Sequence, residues 1–157
     1  EKFLLMEKAD EDRIPKKVMR MFMCQYLLSK TYKDMFDENK ILSAYSDETE
    51  RFEAHHIIPL GTVKQVGEST KKLRDDEKNI CNSPLNFLYI TKKANKEISD
   101  ESLKDYVQKI NAEAKAKLHI TAYTNSDIPQ DQVKQILRER YDFLKGDIRE
   151  RISTLLS

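Results

Sequence analysis

Apolar residues recur at near-helical spacing from Arg13 to about Tyr32. Val18, Met21, Phe22, Tyr26 and Leu28 carry that rhythm, and Pro15 suits a first helical turn. Asp34 to Ser46 predicts a short helix with loops, its apolar side made by Ile41, Leu42 and Tyr45. The period then changes. Phe52 to Ile58 reads as a strand that ends at Pro59, and Phe87 to Ile90 as a second one, short, aromatic and branched. Between them, Thr62 to Ser83 is polar and highly charged, which predicts an exposed excursion. Thr91 can cap a short helix from Lys92 to Glu97. Ser99 resembles the cap of a longer helix, with Leu103, Tyr106, Val107, Ile110, Ala114 and Leu118 along one face. His119 to Ile128 reads as a loop. Pro129 opens a final helix lined by Val133, Ile136, Leu137, Tyr141, Leu144, Ile148, Ile152 and Leu155, with Gly146 a local weakness.

The order is helices, then strand–loop–strand–helix, then helices again. That predicts an α+β fold, mostly helical, with a small two-stranded insert between helical parts. A length of 157 residues suits one domain. Its expected parts are an N-terminal helical region at about 13–46, a core at 50–98 and C-terminal helices at 99–157.

Charged residues make up 35% of the chain and apolar ones 39%, and no apolar run approaches bilayer length. The amino terminus is too short and too acidic for a secretory signal, so a cytoplasmic location is expected. It also lacks an initiator Met, which points to a piece of a longer protein. Cys24 and Cys81 are isolated, which argues against a disulfide framework and against a zinc site built on C-x-x-C pairs. A net charge of +1 does not advertise a nucleic-acid binder, so affinity must come from a local patch or another domain. None of the glycines, Gly61, Gly67 and Gly146, forms a phosphate-cradling loop.

The candidate chemistry is split between the two strands. His55-His56-Ile57-Ile58-Pro59 closes the first, and Asn86 to Asn95 spans the second and the helix start. Adjacent residues near a strand end point in diverging directions, so His55 and His56 suit two roles in one site better than joint ligation of one ion. Asn95 can offer an oxygen to a hard cation, and either asparagine can instead close a turn or cap a helix. Lys92, Lys93 and Lys96 surround Asn95 with positive charge, which fits either a solvated face or a phosphate-attracting patch. A metal, a base and such a patch are the parts needed to hydrolyse a phosphodiester.

His55-His56-Ile57-Ile58-Pro59, Asn86 and Asn95 together resemble the HNH nucleases, the His-Me finger or ββα-metal class. The resemblance implies that His56 is the general base, that His55 and Asn95 bind a metal, and that Asn86 orders the loop presenting His56. Two features depart from the commonest pattern: no C-x-x-C pairs brace the finger, and Asn95 stands where a His is usual. An Asn ligand favours Mg²⁺ or Mn²⁺ over Zn²⁺ or Ni²⁺, since oxygen suits hard cations. A closer likeness covers roughly residues 50–157. Asn82-Ser83-Pro84-Leu85-Asn86, Asn95 to Asp100, Leu103-Lys104-Asp105-Tyr106 and Arg140-Tyr141-Asp142-Phe143-Leu144 are similar to the C-terminal nuclease domain of GmrSD-like modification-dependent restriction proteins. In that family a ParB-like nucleotidase domain precedes the nuclease domain, and it would be missing here.

The resulting expectation is a metal-dependent DNA endonuclease with His56 and Asn86 in catalytic roles. His55 and Asn95 would hold the metal, and Lys92, Lys93 and Lys96 would meet the DNA backbone. The resemblance further implies restriction or anti-phage defence. Two rivals stand beside it: a non-catalytic zinc-binding or helical interaction domain reusing His55, His119 and Cys81, and an RNase or toxin with the same finger. Oligomeric state and target preference are left open.

Overall fold

The two branched, aromatic runs pair in the computed structural model, which describes residue 4 and residues 16–30, 52–63, 69–76, 78–98, 101, 103–120, 128 and 130–157. Strand β1 (Phe52–His56) lies antiparallel to β2 (Phe87–Thr91), with His55 opposite Leu88 and His56 opposite Phe87. Phe52 and Tyr89 meet edge to face, an aromatic cross-strand contact that favours this register. Thr91 then accepts the Ala94 N–H through its hydroxyl and starts helix α4 (Lys92–Ile98), which packs back on both strands. The fold is therefore α+β and mostly helical, with a ββα unit at its centre.

A two-stranded sheet is marginal alone, so helices must cover it. Helix α1 (Lys16–Lys30) buries Met23, Tyr26 and Leu27 and packs on β2. Val18 and Met21 lie off that stripe and are exposed, so the buried face of α1 differs from the one that simple apolar recurrence gives. The short helices α2 (Leu60–Val63) and α3 (Thr70–Asp75) follow β1. The 3-10 turns Ile80–Asn82 and Pro84–Asn86 then lead into β2. Leu73, Cys81 and Asn82 are buried, so the segment expected as an exposed excursion is in part folded onto the core.

The single helix expected from Ser99 to Leu118 is broken. Helix α5 (Leu103–Tyr106) runs into a 3-10 turn, Ile110 is extended, and Asn111 caps helix α6 (Ala112–Leu118) by accepting the Ala114 N–H at 2.7 Å. An Asn side chain competes for backbone groups, so it starts a helix here instead of continuing one. Helix α7 (Gln130–Leu156) buries Val133, Leu137, Tyr141, Leu144 and Ile148 against the 3-10 turns and the core. Ile152 and Leu155 are exposed, so its last turns run past the core that their spacing had placed them in. The expected helix at Asp34–Ser46 and the caps Pro15, Ser99 and Pro129 lie outside the described residues. None of the described helices is long and apolar enough to cross a membrane.

Candidate active site at the end of the first strand

The chain leaves β1 through Ile57 and Ile58, both buried, and every backbone polar group of that pair is engaged. Ile57 N–H donates to the Asn86 carbonyl at 2.8 Å, and Ile57 C=O accepts from the Tyr106 hydroxyl. Ile58 N–H donates to Asn86 Oδ1 at 2.9 Å, and Asn86 Nδ2 donates to the Ile58 carbonyl at 3.3 Å and to the Cys81 carbonyl at 2.8 Å. Asn86 is fully buried, so these bonds have no competition from water. Its amide thus fixes the bend that follows the two histidines. Arg140 on α7 reinforces the same corner, donating to the carbonyls of Leu85 and Leu118.

His56 Nε2 lies 3.3 Å from Asn82 Oδ1. Asn82 Nδ2 faces the carbonyls of Leu73 at 2.7 Å, Asp76 at 2.9 Å and Arg74 at 3.3 Å, so the Asn82 amide cannot be flipped without orphaning them. Its Oδ1 is therefore the acceptor, His56 Nε2 carries the ring proton, and Nδ1 carries the lone pair. Burial pushes the His56 pKa down to about 4; the Asn82 bond opposes this, and His55, Arg74 and Arg20 add to it. At neutral pH the ring is an unprotonated base.

His55 is buried and turned to a different partner: its Nδ1 lies 2.8 Å from Asn95 Oδ1 on α4. Asn95 Nδ2 in turn donates to Glu53 Oε2 at 2.8 Å. A carboxylate accepts only, so Glu53 fixes the Asn95 amide with its oxygen toward His55. His55 Nδ1 is then the donor, and the buried Nε2 bears a lone pair with no hydrogen-bond partner. Burial lowers the His55 pKa, against the opposing effect of the Asn95 bond, so this ring too is held neutral. Tyr106 presses edge-on against it, with ring centroids 5.4 Å apart.

His55, His56 and Asn95 open on one cleft of about 450 Å³, with Asn82 and Phe87 also in its wall. Asn86 supports it from behind. Lys93 and Lys96 are exposed on α4 and Lys92 is half-buried, and these lysines do not line the cleft. Lys93 instead stands 3.8 Å from Glu97. The basic residues that do line it are Arg20 from α1 and Arg74 from α3, which sequence reasoning did not single out. Glu53 and Tyr106 were missed too. Glu53 had one available signal: in a strand it shares a face with His55 two residues on.

Cys24 and Cys81 are not joined in a disulfide. Among the described residues no group of three or more His, Cys, Asp or Glu side chains could hold a metal ion, so His55, His119 and Cys81 do not assemble a zinc site. His119 instead ends α6 in a left-handed conformation and stacks on Phe143.

The family model of the GmrSD restriction endonucleases, C-terminal domain, matches residues 5–145, and the chain belongs to that family. Neither the curated proteins nor the solved structures compared with it give a match.

Proposed function

From membership of that restriction-endonuclease family as premise, we propose that the chain is an HNH-type, metal-dependent endonuclease domain that hydrolyses DNA phosphodiester bonds. The observation that carries this reading is the division of labour between adjacent histidines. His56 presents a neutral ring whose Nε2 is fixed by Asn82, while His55 joins Asn95 on a separate hydrogen-bond chain. One ring is free to take a proton, and the other is free to help hold an ion.

The donor set fits a small hard cation. Mg²⁺ and Mn²⁺ take ligands at about 2.1 Å in octahedral geometry, which puts adjacent ligands about 3 Å apart. His55 Nδ1 and Asn95 Oδ1, at 2.8 Å, already have nearly that spacing. His55 and the Asn95 oxygen would hold such a cation, with Glu53 keeping that oxygen turned toward the site. Two neutral donors make a weak site, which suits Mg²⁺ or Mn²⁺ shared with a substrate phosphate better than Zn²⁺ or Ni²⁺ bound outright. A cation bound there would supply charge neutralisation at the phosphate and the leaving oxygen.

His56 Nδ1 accepts a proton from water as its oxygen attacks phosphorus, the bond from phosphorus to the leaving sugar oxygen breaks, and that oxygen takes a proton from solvent. Asn86 and Tyr106 hold residues 57–58, and through them the ring, against drift during the step. Lys92, Lys93 and Lys96 extend positive charge along α4 for more distant backbone phosphates. Target choice, the defence role and a preceding ParB-like nucleotidase domain are carried over from the family resemblance. Incubating supercoiled plasmid with the protein in EDTA, Mg²⁺, Mn²⁺ and Zn²⁺, beside an RNA of similar length, tests the reading. Cleavage of DNA restored by Mg²⁺ or Mn²⁺ is the expected result; metal-independent cleavage, or cleavage of RNA alone, overturns it.

A further inference from the structure

Arg20 and Arg74 come from elements outside the ββα unit, α1 and α3, yet both reach the cleft that holds His55, His56 and Asn95. Both residues are exposed. Among the described residues neither guanidinium has a carboxylate partner, although acidic side chains are about as common as basic ones in this chain. No described Asp or Glu lines the cleft; Glu53 stands behind Asn95 and is occupied by its amide. A chain of net charge +1 has thus left a locally cationic wall around its candidate base.

The Arg20 guanidinium is also pre-positioned. It lies 5.3 Å from the Phe87 ring centroid, a cation–π contact, and Phe87 in turn packs on the His56 ring with centroids 4.5 Å apart. Arg20 is therefore held by the same aromatic ring that backs His56. Arg74 is tied to His56 by another route, since its backbone carbonyl faces the Asn82 amide that fixes His56 Nε2. The Arg20 head and the Arg74 backbone are each one residue removed from the base, and among the described residues both planar, five-donor heads are without an acid partner. That combination suits bidentate binding of phosphate oxygens.

We infer that Arg20 and Arg74 form a two-armed phosphate clamp that seats the DNA backbone at the His56 end of the cleft, as distinct from the lysines of α4. This rests on the endonuclease reading above and assigns its substrate contacts. The clamp makes two separable demands. The charges should set salt-dependent affinity, and the fork geometry should set the rate once DNA is bound.

The test uses the full chain as wild type, Arg20→Ala/Arg74→Ala and Arg20→Lys/Arg74→Lys, with a thermal melt confirming that each is folded. Binding of a labelled duplex in EDTA is followed by anisotropy across a salt series, and single-turnover cleavage is measured in Mn²⁺ at saturating protein. The alanine pair should flatten the slope of log affinity against log salt by about 1.8, at about 0.9 per phosphate contact. It should also slow saturated cleavage by roughly 10–100-fold, the loss expected for charge-assisted hydrogen bonds. The lysine pair should recover the slope but not the rate. An unchanged slope, or an unchanged saturated rate in the alanine pair, overturns the clamp while wild-type cleavage leaves the endonuclease reading standing. A folded wild type that neither binds nor cuts DNA removes both.

Discussion

Replacing Asn86 by Ala removes a side chain that is fully buried and makes three hydrogen bonds to main chain. The variant leaves the Ile58 N–H, the Ile58 carbonyl and the Cys81 carbonyl without that partner. An orphaned buried polar group costs about 1–3 kcal/mol. The 3.3 Å bond is long and weak, so the bonds at 2.8 and 2.9 Å dominate. The expected loss is about 2–5 kcal/mol, a large share of the stability of an ordinary domain. At roughly 2–4 °C per kcal/mol for a chain of this size, the melting temperature should fall by roughly 4–20 °C. Asn86→Asp tests the same geometry differently: it keeps the shape and the acceptor but turns the two donor contacts into carboxylate facing carbonyl. It should be at least as destabilising. The assay is a melt and a urea titration of the three proteins, followed by single-turnover cleavage at a temperature where all are folded. Loss of cleavage in the folded fraction is expected, because the bend after His56 is no longer pinned. A melting temperature within about 2 °C of wild type for the Ala variant would refute the tether, since that is below the cost of one orphaned group.

The His56 pKa is lowered from 6.5 to about 4 in the fold, so the unfolded chain binds more protons between those pH values. Its contribution to stability is therefore full above pH 6.5 and is lost as pH falls toward about 4, by about 3 kcal/mol at most. His56→Gln should flatten that limb in urea titrations across the window, and identical slopes for the two proteins would contradict the assignment. His56→Ala should slow cleavage about 10²–10⁴-fold while leaving Mn²⁺ affinity, read by calorimetry, close to wild type. His55→Ala and Asn95→Ala should weaken Mn²⁺ binding in the same calorimeter. Glu53→Gln should weaken it less, because the Asn95 amide loses its charged anchor but keeps its oxygen; unaltered affinity in His55→Ala and Asn95→Ala together would exclude them as ligands. Replacing Lys92, Lys93 and Lys96 by Ala should reduce the salt slope of DNA binding by up to about 2.7, and an unchanged slope would place the outer backbone contacts elsewhere.

The ββα unit was legible because its signals are local. Branched and aromatic residues at Phe87–Ile90 and the Thr91 cap each act within a few positions, and both hold in the structure. The first strand, by contrast, stops at His56, short of the expected end at Ile58 and Pro59, because Asn86 bonds the bend at Ile57 and Ile58. The helix expected from Ser99 to Leu118 failed at Asn111, where apolar periodicity carries straight through a residue whose side chain prefers to begin a helix. The excursion from Thr62 to Ser83 read as exposed because its charge density is high. What folds part of it is one buried Asn82 amide gathering carbonyls from Leu73, Arg74 and Asp76, a polar nucleus that no hydropathy pattern registers.

The site divides along the same line. His55, His56, Asn86 and Asn95 carry a sequence pattern because their spacing is set by one strand–turn–strand–helix, and the fold does gather His55 with Asn95 and Asn86 with Ile58. Glu53, Tyr106, Arg20 and Arg74 complete the surroundings from positions whose separation follows no motif. Charge composition hides the arginines further. An excess of one positive charge, averaged over 157 residues, says nothing about a cleft. Acidic residues elsewhere are spent on lysines, as Asp147 on Lys30, Glu101 on Lys109 and Glu113 on Lys117. Those pairs cancel in the total and leave the two arginines beside His56 without acids among the described residues. A near-neutral chain can therefore present a cationic reaction face, because phosphate binding depends on where charge is left unpaired and not on how much of it there is.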